Sequence, residues 1–287
     1  SRSTEVPVGS APDALVDTCG TGGDEAGTFN VSTTASFVVA GAGLTVAKHG
    51  NRSVSSRCGS ADVIEALGVN LDLTPEEVGR CIDQVGIGFL FAPLLHPAMR
   101  HAVLPRREVK LKSIFNLVGP LTNPARADVQ VLGVFRDDLT ETLARVLDRL
   151  GCRSAYVVHG LDGLDEISIS APTRVTRLKD GGIETFILKP EDLGLRSDKP
   201  EAVRGGDAAF NAALVLSVLK GGPGPCRDMV LLNAAPALAA AGAARDLKEG
   251  VKMAAGAIDS GQAMEKLQGL IETSRALSAT RIQAVGA

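Results

Sequence analysis

Two small-residue loops hold most of the groups in this chain that could do chemistry. They are DTCGTGGDEAGTFNVST, from Asp17 to Thr33, and KHGNRSVSSRCGS, from Lys48 to Ser60. Each runs into a helix-like apolar stretch. Glycine lets main-chain N–H groups come close to an anion, and a following helix turns its positive dipole end toward the same spot. Both loops offer hydroxyls and amides, and the second adds Lys48, Arg52 and Arg57. Two such devices in tandem fit a ligand with two separated phosphate groups, since one phosphate needs only one loop. The commonest phosphate motifs are excluded by spacing. Gly22 and Gly27 are separated as in a P-loop, but Thr28 stands where the lysine belongs. Gly20-x-Gly22 is followed by Glu25 where the dinucleotide fingerprint needs a third glycine.

The elements that must position these loops alternate between short apolar runs and helical patterns, the signature of an α/β fold with parallel strands. Ala14–Cys19 and Leu44–Lys48 are expected strands that end at the two loops, with helices over Val31–Ala42 and Ser60–Leu67. Thr74, Pro75 and Glu77 make a capping box at the start of a third helix. Ile87–Phe91, Val129–Phe135 and Ser154–His159 are further strands; Leu139–Leu150 is an amphipathic helix with Asp138 as its N-cap. Arg174–Leu188 divides around Gly181-Gly182 into a hairpin, and the chain beyond Gly205 is mostly helical. Pro93–Lys112 mixes apolar residues and charges without strand alternation, and is expected to be a helical excursion from the sheet. The acidic pair Asp165-Glu166 follows a strand through the turn GLDGL, at the sheet's carboxyl edge, where α/β sites lie.

Composition narrows the class. A chain of 287 residues can bury a substantial core, and its net charge of −3 gives no general basic field for nucleic acid. Cys19, Cys58, Cys81, Cys152 and Cys226 are scattered without a CxxC pair, which fits a reducing compartment and neither a disulfide framework nor a zinc site. The longest apolar stretch, Ala35–Ala47, is shorter than the roughly 20 residues a bilayer requires. No signal peptide is visible at the start, and a first residue Ser1 reads as a fragment or processed form. The four histidines show no metal-binding spacing.

Six blocks, taken together, are more specific. GTGGD (Gly20–Asp24), NVST (Asn30–Thr33), KHGNRSVSS (Lys48–Ser56), HPAMR (His96–Arg100), FNLVGPLTNPA (Phe115–Ala125) and LDEIS (Leu164–Ser168) occur in one order. In that order they closely resemble the anthranilate phosphoribosyltransferase family, from about Leu15 to the C-terminal helices. The resemblance implies an α/β fold: a large domain with a mainly parallel central sheet flanked by helices, plus the remnant of a small helical domain. Residues 12–92 and 118–287 would form the large domain and 93–117 would belong to the smaller one. The implied reaction transfers the phosphoribosyl group of phosphoribosyl pyrophosphate (PRPP) to the amine of anthranilate, the second step of tryptophan biosynthesis. PRPP carries a 5′-phosphate and a pyrophosphate, as the two loops suggest.

The same resemblance implies roles for particular residues. Gly20, Gly23, Asp24, Thr28, Asn30, Val31, Ser32 and Thr33 would line the pyrophosphate and ribose side. Lys48, His49, Gly50, Asn51, Arg52, Ser53, Val54, Ser55, Ser56 and Ser60 would complete the phosphate cradle. Anthranilate would be held by Arg106 and Asn51, in a slot lined by Gly20, His49 and Pro120. Ser32, Asp165 and Glu166 would hold Mg²⁺, two ions bound with PRPP. No residue is assigned as a catalytic acid or base. Small-molecule substrates, no nucleic acid, no membrane, a homodimer in the full-length protein and a cytoplasmic setting, with a plastid left open, complete the expectation. Family members carry several helices ahead of the first strand, whereas only about 14 residues precede it here. Two departures stand out: Lys112 replaces a more usual arginine, and Cys19 replaces an apolar residue, read here as packing. The rival readings are a pyrimidine nucleoside phosphorylase-like enzyme and a non-enzymatic nucleic-acid-binding relative of the same fold.

Overall fold

The computed structural model describes residues 4–9, 12–24, 26–53, 57–97 and 114–285. Five parallel strands form most of its sheet: β1 (Leu15–Gly20), β2 (Thr45–Gly50), β3 (Ile87–Phe91), β4 (Val129–Gly133) and β5 (Ser154–Gly160). The antiparallel pair β6 (Thr173–Lys179) and β7 (Gly182–Leu188) extends it, in the order β3-β2-β1-β4-β5-β6-β7. The expected strands are present, with ends shifted by one or two residues. Asp180 and Gly181 both take positive φ between the paired Lys179 and Gly182, the two-residue turn that suits the twist of a hairpin.

Alternation along the strands divides the core. Val131, Tyr156 and Val158 join the large apolar cluster, while Leu132, Ala155 and Val157 join a smaller one beneath the helix Leu139–Arg149. Successive strand residues face opposite sides, so the two clusters lie on opposite faces of the sheet. The helices expected after the two loops are α1 (Val31–Gly41) and α2 (Ser60–Ala66). The larger cluster includes α1 and the helices Pro225–Ala240, Leu247–Asp259 and Gln262–Val285. In α1 even Thr34 and Ser36 are buried, as expected of a helix enclosed by others.

Two expected helix caps have different outcomes. Thr74 caps α3 (Pro75–Val85) as the sequence predicts: its Oγ1 accepts from Glu77 N at 3.3 Å, and Glu77 Oε2 accepts from Thr74 N at 2.8 Å. Asp138 precedes the helix Leu139–Arg149, but its side chain caps nothing; its carboxylate pairs with Arg136. A nearby guanidinium competes better for it than the helix amides do. Of the expected helical excursion, Ala92–Leu95 and Ile114–Val118 are helical, and residues 98–113 lie outside the described residues.

The strand ends place the functional loops on one edge. The β1 and β4 tips carry Gly20 and Gly133, paired side by side, and the turn holding Asp165 lies directly over both. A Cβ on Gly133 would fall 1.6 Å from the Asp165 carbonyl oxygen, and one on Gly20 would fall 2.5 Å from Asp165 Oδ2. At Gly133 the neighbour is backbone, so no side-chain rotation can relieve the contact. Gly133→Ala should therefore lift the acidic turn off the sheet, with a stability loss of about 1–3 kcal/mol. Thermal denaturation of the variant checks this, and an unchanged midpoint would contradict the packing.

Candidate active site

The site is built where β1, β2, β4 and β5 end. Beyond β1 the chain turns through Gly22 and Gly23, with φ of 66° and 78°, which glycine adopts without strain. Asp165 Oδ2 accepts from Gly22 N at 2.6 Å, and Glu166 Oε1 accepts from Ser32 N at 3.1 Å, in the first turn of α1. The acidic pair is thus held by the amides of the glycine loop and by the positive end of a helix. Asp24 hydrogen-bonds to Asp165, so three acidic groups meet within one small volume.

Electrostatics sets the character of this edge. Burial pushes the Asp165 and Glu166 carboxyls well above the ordinary range, and their negative neighbours raise them further: Asp24 acts on Asp165, and Asp165 on Glu166. Burial likewise raises Asp24. Lys48, only 3% exposed, opposes the rise at Glu166 and also faces Asp17. Such crowding of like charges favours a site completed by a cation. Among the described residues, no group of three or more His, Cys, Asp or Glu is arranged to hold a metal ion alone. Two carboxylates and the Ser32 hydroxyl nevertheless suit Mg²⁺, which takes one or two carboxylates and fills its other positions from water and substrate phosphate.

The remaining predicted residues fall into groups. Thr28 bridges Arg204, and Asn30 ties the loops together: its Nδ2 donates to Cys58 O at 3.3 Å and its Oδ1 accepts from Asn211 Nδ2 at 2.9 Å. Val31 and Thr33 are buried in the core. Asn51 is exposed; its N–H donates to Ser60 Oγ at 3.1 Å, and a Cβ on Gly50 would strike that same Oγ. Arg52 lies over the Phe91 ring and forks onto Asp62 and Glu65 of α2. Asp62 also accepts from Ser53 N and Gly59 N, so it fastens both ends of the second loop. Val54, Ser55, Ser56 and Arg106 lie outside the described residues, as do Glu25 and Lys112.

On the far side of β2, His49 and Pro120 face one another's segments. His49 Nε2 and His96 Nε2 are 3.1 Å apart, and the His49 ring also bonds the Gly119 main chain. Pro120 is buried, and its carbonyl accepts from Gln130 Nε2 at 2.7 Å. Cys19 accepts from the same amide at 3.0 Å, and burial pushes its thiol well above the ordinary range. It is a packing residue, as read from the sequence. Sequence reasoning missed Asp17, Asp62, Asn123 and Asn211, which hold the loops. The one visible signal was Asp17, a carboxylate inside an apolar strand.

Comparisons with known proteins bear on the family and the fold. The glycosyl transferase family, a/b domain, matches residues 12–264. The anthranilate phosphoribosyltransferase of Symbiobacterium thermophilum is 60% identical over 265 residues, covering 92% of this chain and 78% of that protein. The crystal structure of the Thermus thermophilus enzyme of that name superposes with a TM-score of 0.89 at 45% identity, covering 95% of this chain and 81% of that one. The Saccharomyces cerevisiae enzyme in complex with PRPP and Mg gives 0.88 at 30% identity, covering 96% and 77%.

His49 supplies a test of the folded site. Burial, His96 and Lys48 lower its pKa to about 3, against 6.5 for the unperturbed group. A histidine held neutral by folding contributes stability that is present above pH 6.5 and lost as pH falls from 6.5 toward 3. Relative to His49→Gln, the wild type should lose about 1.4 kcal/mol per pH unit below 6.5. Denaturant midpoints between about pH 7 and 5 measure this, and a constant difference would show that His49 is not held neutral.

Proposed function

This chain belongs to the glycosyl transferase family with the a/b domain, and within it to the anthranilate phosphoribosyltransferases; on that basis we propose how its site works. The chain transfers the phosphoribosyl group of PRPP to the amine of anthranilate, giving N-(5-phosphoribosyl)anthranilate and pyrophosphate. The relatives support this reading and neither the nucleoside phosphorylase nor the nucleic-acid-binding alternative. The observation that carries the site assignment is the meeting of Asp165 and Glu166 with the amides of Gly22 and Ser32 at the carboxyl edge of the sheet.

The donor half would be the side between the glycine loop and β2. Main-chain N–H groups from Gly20 to Asp24, with Thr28 and Asn30 to Thr33, face the pyrophosphate and ribose. Lys48, Gly50, Asn51, Arg52, the Ser53–Ser56 stretch and Ser60 form the phosphate cradle. Asp165, Glu166 and the Ser32 hydroxyl would hold Mg²⁺, as two ions, and bound Mg²⁺ neutralises charge on the departing pyrophosphate. Loop amides and Lys48 stabilise the same charge without reorganising during the reaction. The acceptor half would be the slot between His49 and Pro120, floored by Gly20, with Asn51 and Arg106 on the carboxylate of anthranilate.

Displacement at ribose C1 breaks the bond to pyrophosphate and forms one to nitrogen through an oxocarbenium-like transition state. The aromatic amine is neutral near pH 7 and attacks with its own lone pair, so the chain need only align it. No acid–base residue is assigned, and rate enhancement rests on positioning and fixed charge. The segment 93–117 is assigned to a smaller helical domain, the assembly to a homodimer and the setting to the cytoplasm. Among the described residues, no helix is long and apolar enough to cross a membrane.

Loss of anthranilate fluorescence with PRPP and Mg²⁺ measures the activity, with EDTA as control; no decay in the wild type would overturn the function. Asp165→Asn and Glu166→Gln should each reduce turnover by about a hundredfold or more, as loss of a charge-stabilising group does. Near-normal magnesium-dependent rates would remove them from the metal role. Arg106→Ala should raise KM for anthranilate by about tenfold or more, the loss of one charge-assisted pair. An effect confined to KM for PRPP would contradict that assignment.

A further inference from the structure

One buried charge has no part in the reaction as described. Asp17 is fully buried in the middle of β1, beside Gln130 of β4. Both its oxygens accept N–H groups: Oδ1 from His49 N at 3.2 Å and Oδ2 from Asn123 Nδ2 at 2.8 Å. Burial raises the Asp17 carboxyl above the ordinary range, and Lys48, Asn123, the His49 amide and Cys19 all oppose that rise. Asn123 is saturated in turn. Its Nδ2 also donates to Ala47 O at 2.9 Å, and its Oδ1 accepts from Ala125 N at 2.9 Å.

These contacts join segments far apart in sequence. Asp17 lies on β1, Ala47 and His49 on β2, and Asn123 ends the turn that carries Gly119 and Pro120. A turn with so little regular structure is set by where its side chains anchor. Asn123 fixes one end, and Gln130 holds Pro120 near the other. The donor loops reach this assembly through β1, which ends at Gly20, and through β2, where Lys48 and His49 are neighbours, one facing Glu166, the other His96. A shift of the turn would therefore move the acceptor wall without moving the glycine loop, whose amides are held by Asp165 and Glu166.

We propose that Asp17 and Asn123 are a pair of positioning residues that seat the Gly119–Asn123 turn against the end of β2 and so fix the anthranilate slot relative to the PRPP cradle. The inference rests on the acceptor reading of His49 and Pro120 given above. Neither residue touches a substrate. Asn123 acts on the acceptor side alone, through the turn. Asp17 acts on both sides, since it also holds the His49 main chain and balances Lys48.

The two roles separate in measurement. Asn123→Ala should lower kcat/KM for anthranilate by about tenfold to a hundredfold, the size of a one-ångström misplacement of a reactant. Its affinity for magnesium–PRPP, measured by calorimetry without anthranilate, should stay within about twofold of wild type, since no loop amide or Lys48 contact is removed. Asp17→Asn should weaken both, because its new N–H₂ group faces the Asn123 N–H₂ donor and its charge no longer balances Lys48. The double variant should match Asp17→Asn on anthranilate, as expected when one contact is removed twice. Should Asp17→Asn fail to fold, the split between the two substrates in Asn123→Ala decides alone. A variant Asn123→Ala with lowered melting temperature but normal constants for both substrates overturns the proposal, as does equal damage to both. A wild type that never consumes anthranilate instead sinks the functional reading beneath it.

Discussion

The rest of the site depends on seating two carboxylates, Asp165 and Glu166, against the backbone ends of a parallel sheet. Burying like charges together is unfavourable, and both groups are displaced upward in pKa for that reason. Three features make it tolerable. The amides of Gly22 and Ser32 each donate to one carboxylate. The axis of α1 presents its positive end to Glu166. Gly20 and Gly133 carry no Cβ, so the acidic turn can descend onto the strand tips. The sheet order places β1 between β2 and β4, which is why one turn after β5 can meet a loop after β1.

Lys48 gives the second half of the balance. It is buried and acts on both Asp17 and Glu166, so a single cation lowers the pKa of two carboxyls carried by different segments. The same strand then delivers His49, held neutral, toward His96 and the Gly119 main chain. One residue step along β2 thus separates Lys48, which acts on Asp17 and Glu166, from His49, which meets His96, because successive strand residues face opposite ways.

Local signals in the sequence carried most of the architecture. The capping box at Thr74, the hairpin expected at Gly181-Gly182 and found one residue earlier at Asp180-Gly181, and the strand-then-glycine pattern at Cys19–Gly20 each involve residues within four positions of one another. Propensity and turn chemistry act over that range, so they can be read from the chain. The supports of the site act over another range. Asp17 meets Asn123 across 106 residues, and Gly22 meets Asp165 across 143. Nothing in the run LVDTCG tells which distant donors will satisfy its aspartate. Asp138 shows the converse: a good capping residue at the right place was claimed by Arg136 because a salt bridge was nearer than the helix amides.

Arg52, expected from the family resemblance in the phosphate cradle, is engaged here with the helix that follows its loop. Its guanidinium forks onto Asp62 and Glu65, but the side chain is 47% exposed and Glu65 55%. Ion pairs in that setting contribute about 0–1 kcal/mol. Were the cradle proposed above to hold a phosphate, that dianion would present more charge and a matching fork geometry, and would compete on favourable terms for the same group. Asp62 differs from Glu65, since it also binds the amides of Ser53 and Gly59 and would keep the loop closed without Arg52. Ser53 and Gly59 therefore rest on a carboxylate facing their own backbone, independently of the Arg52 ion pair.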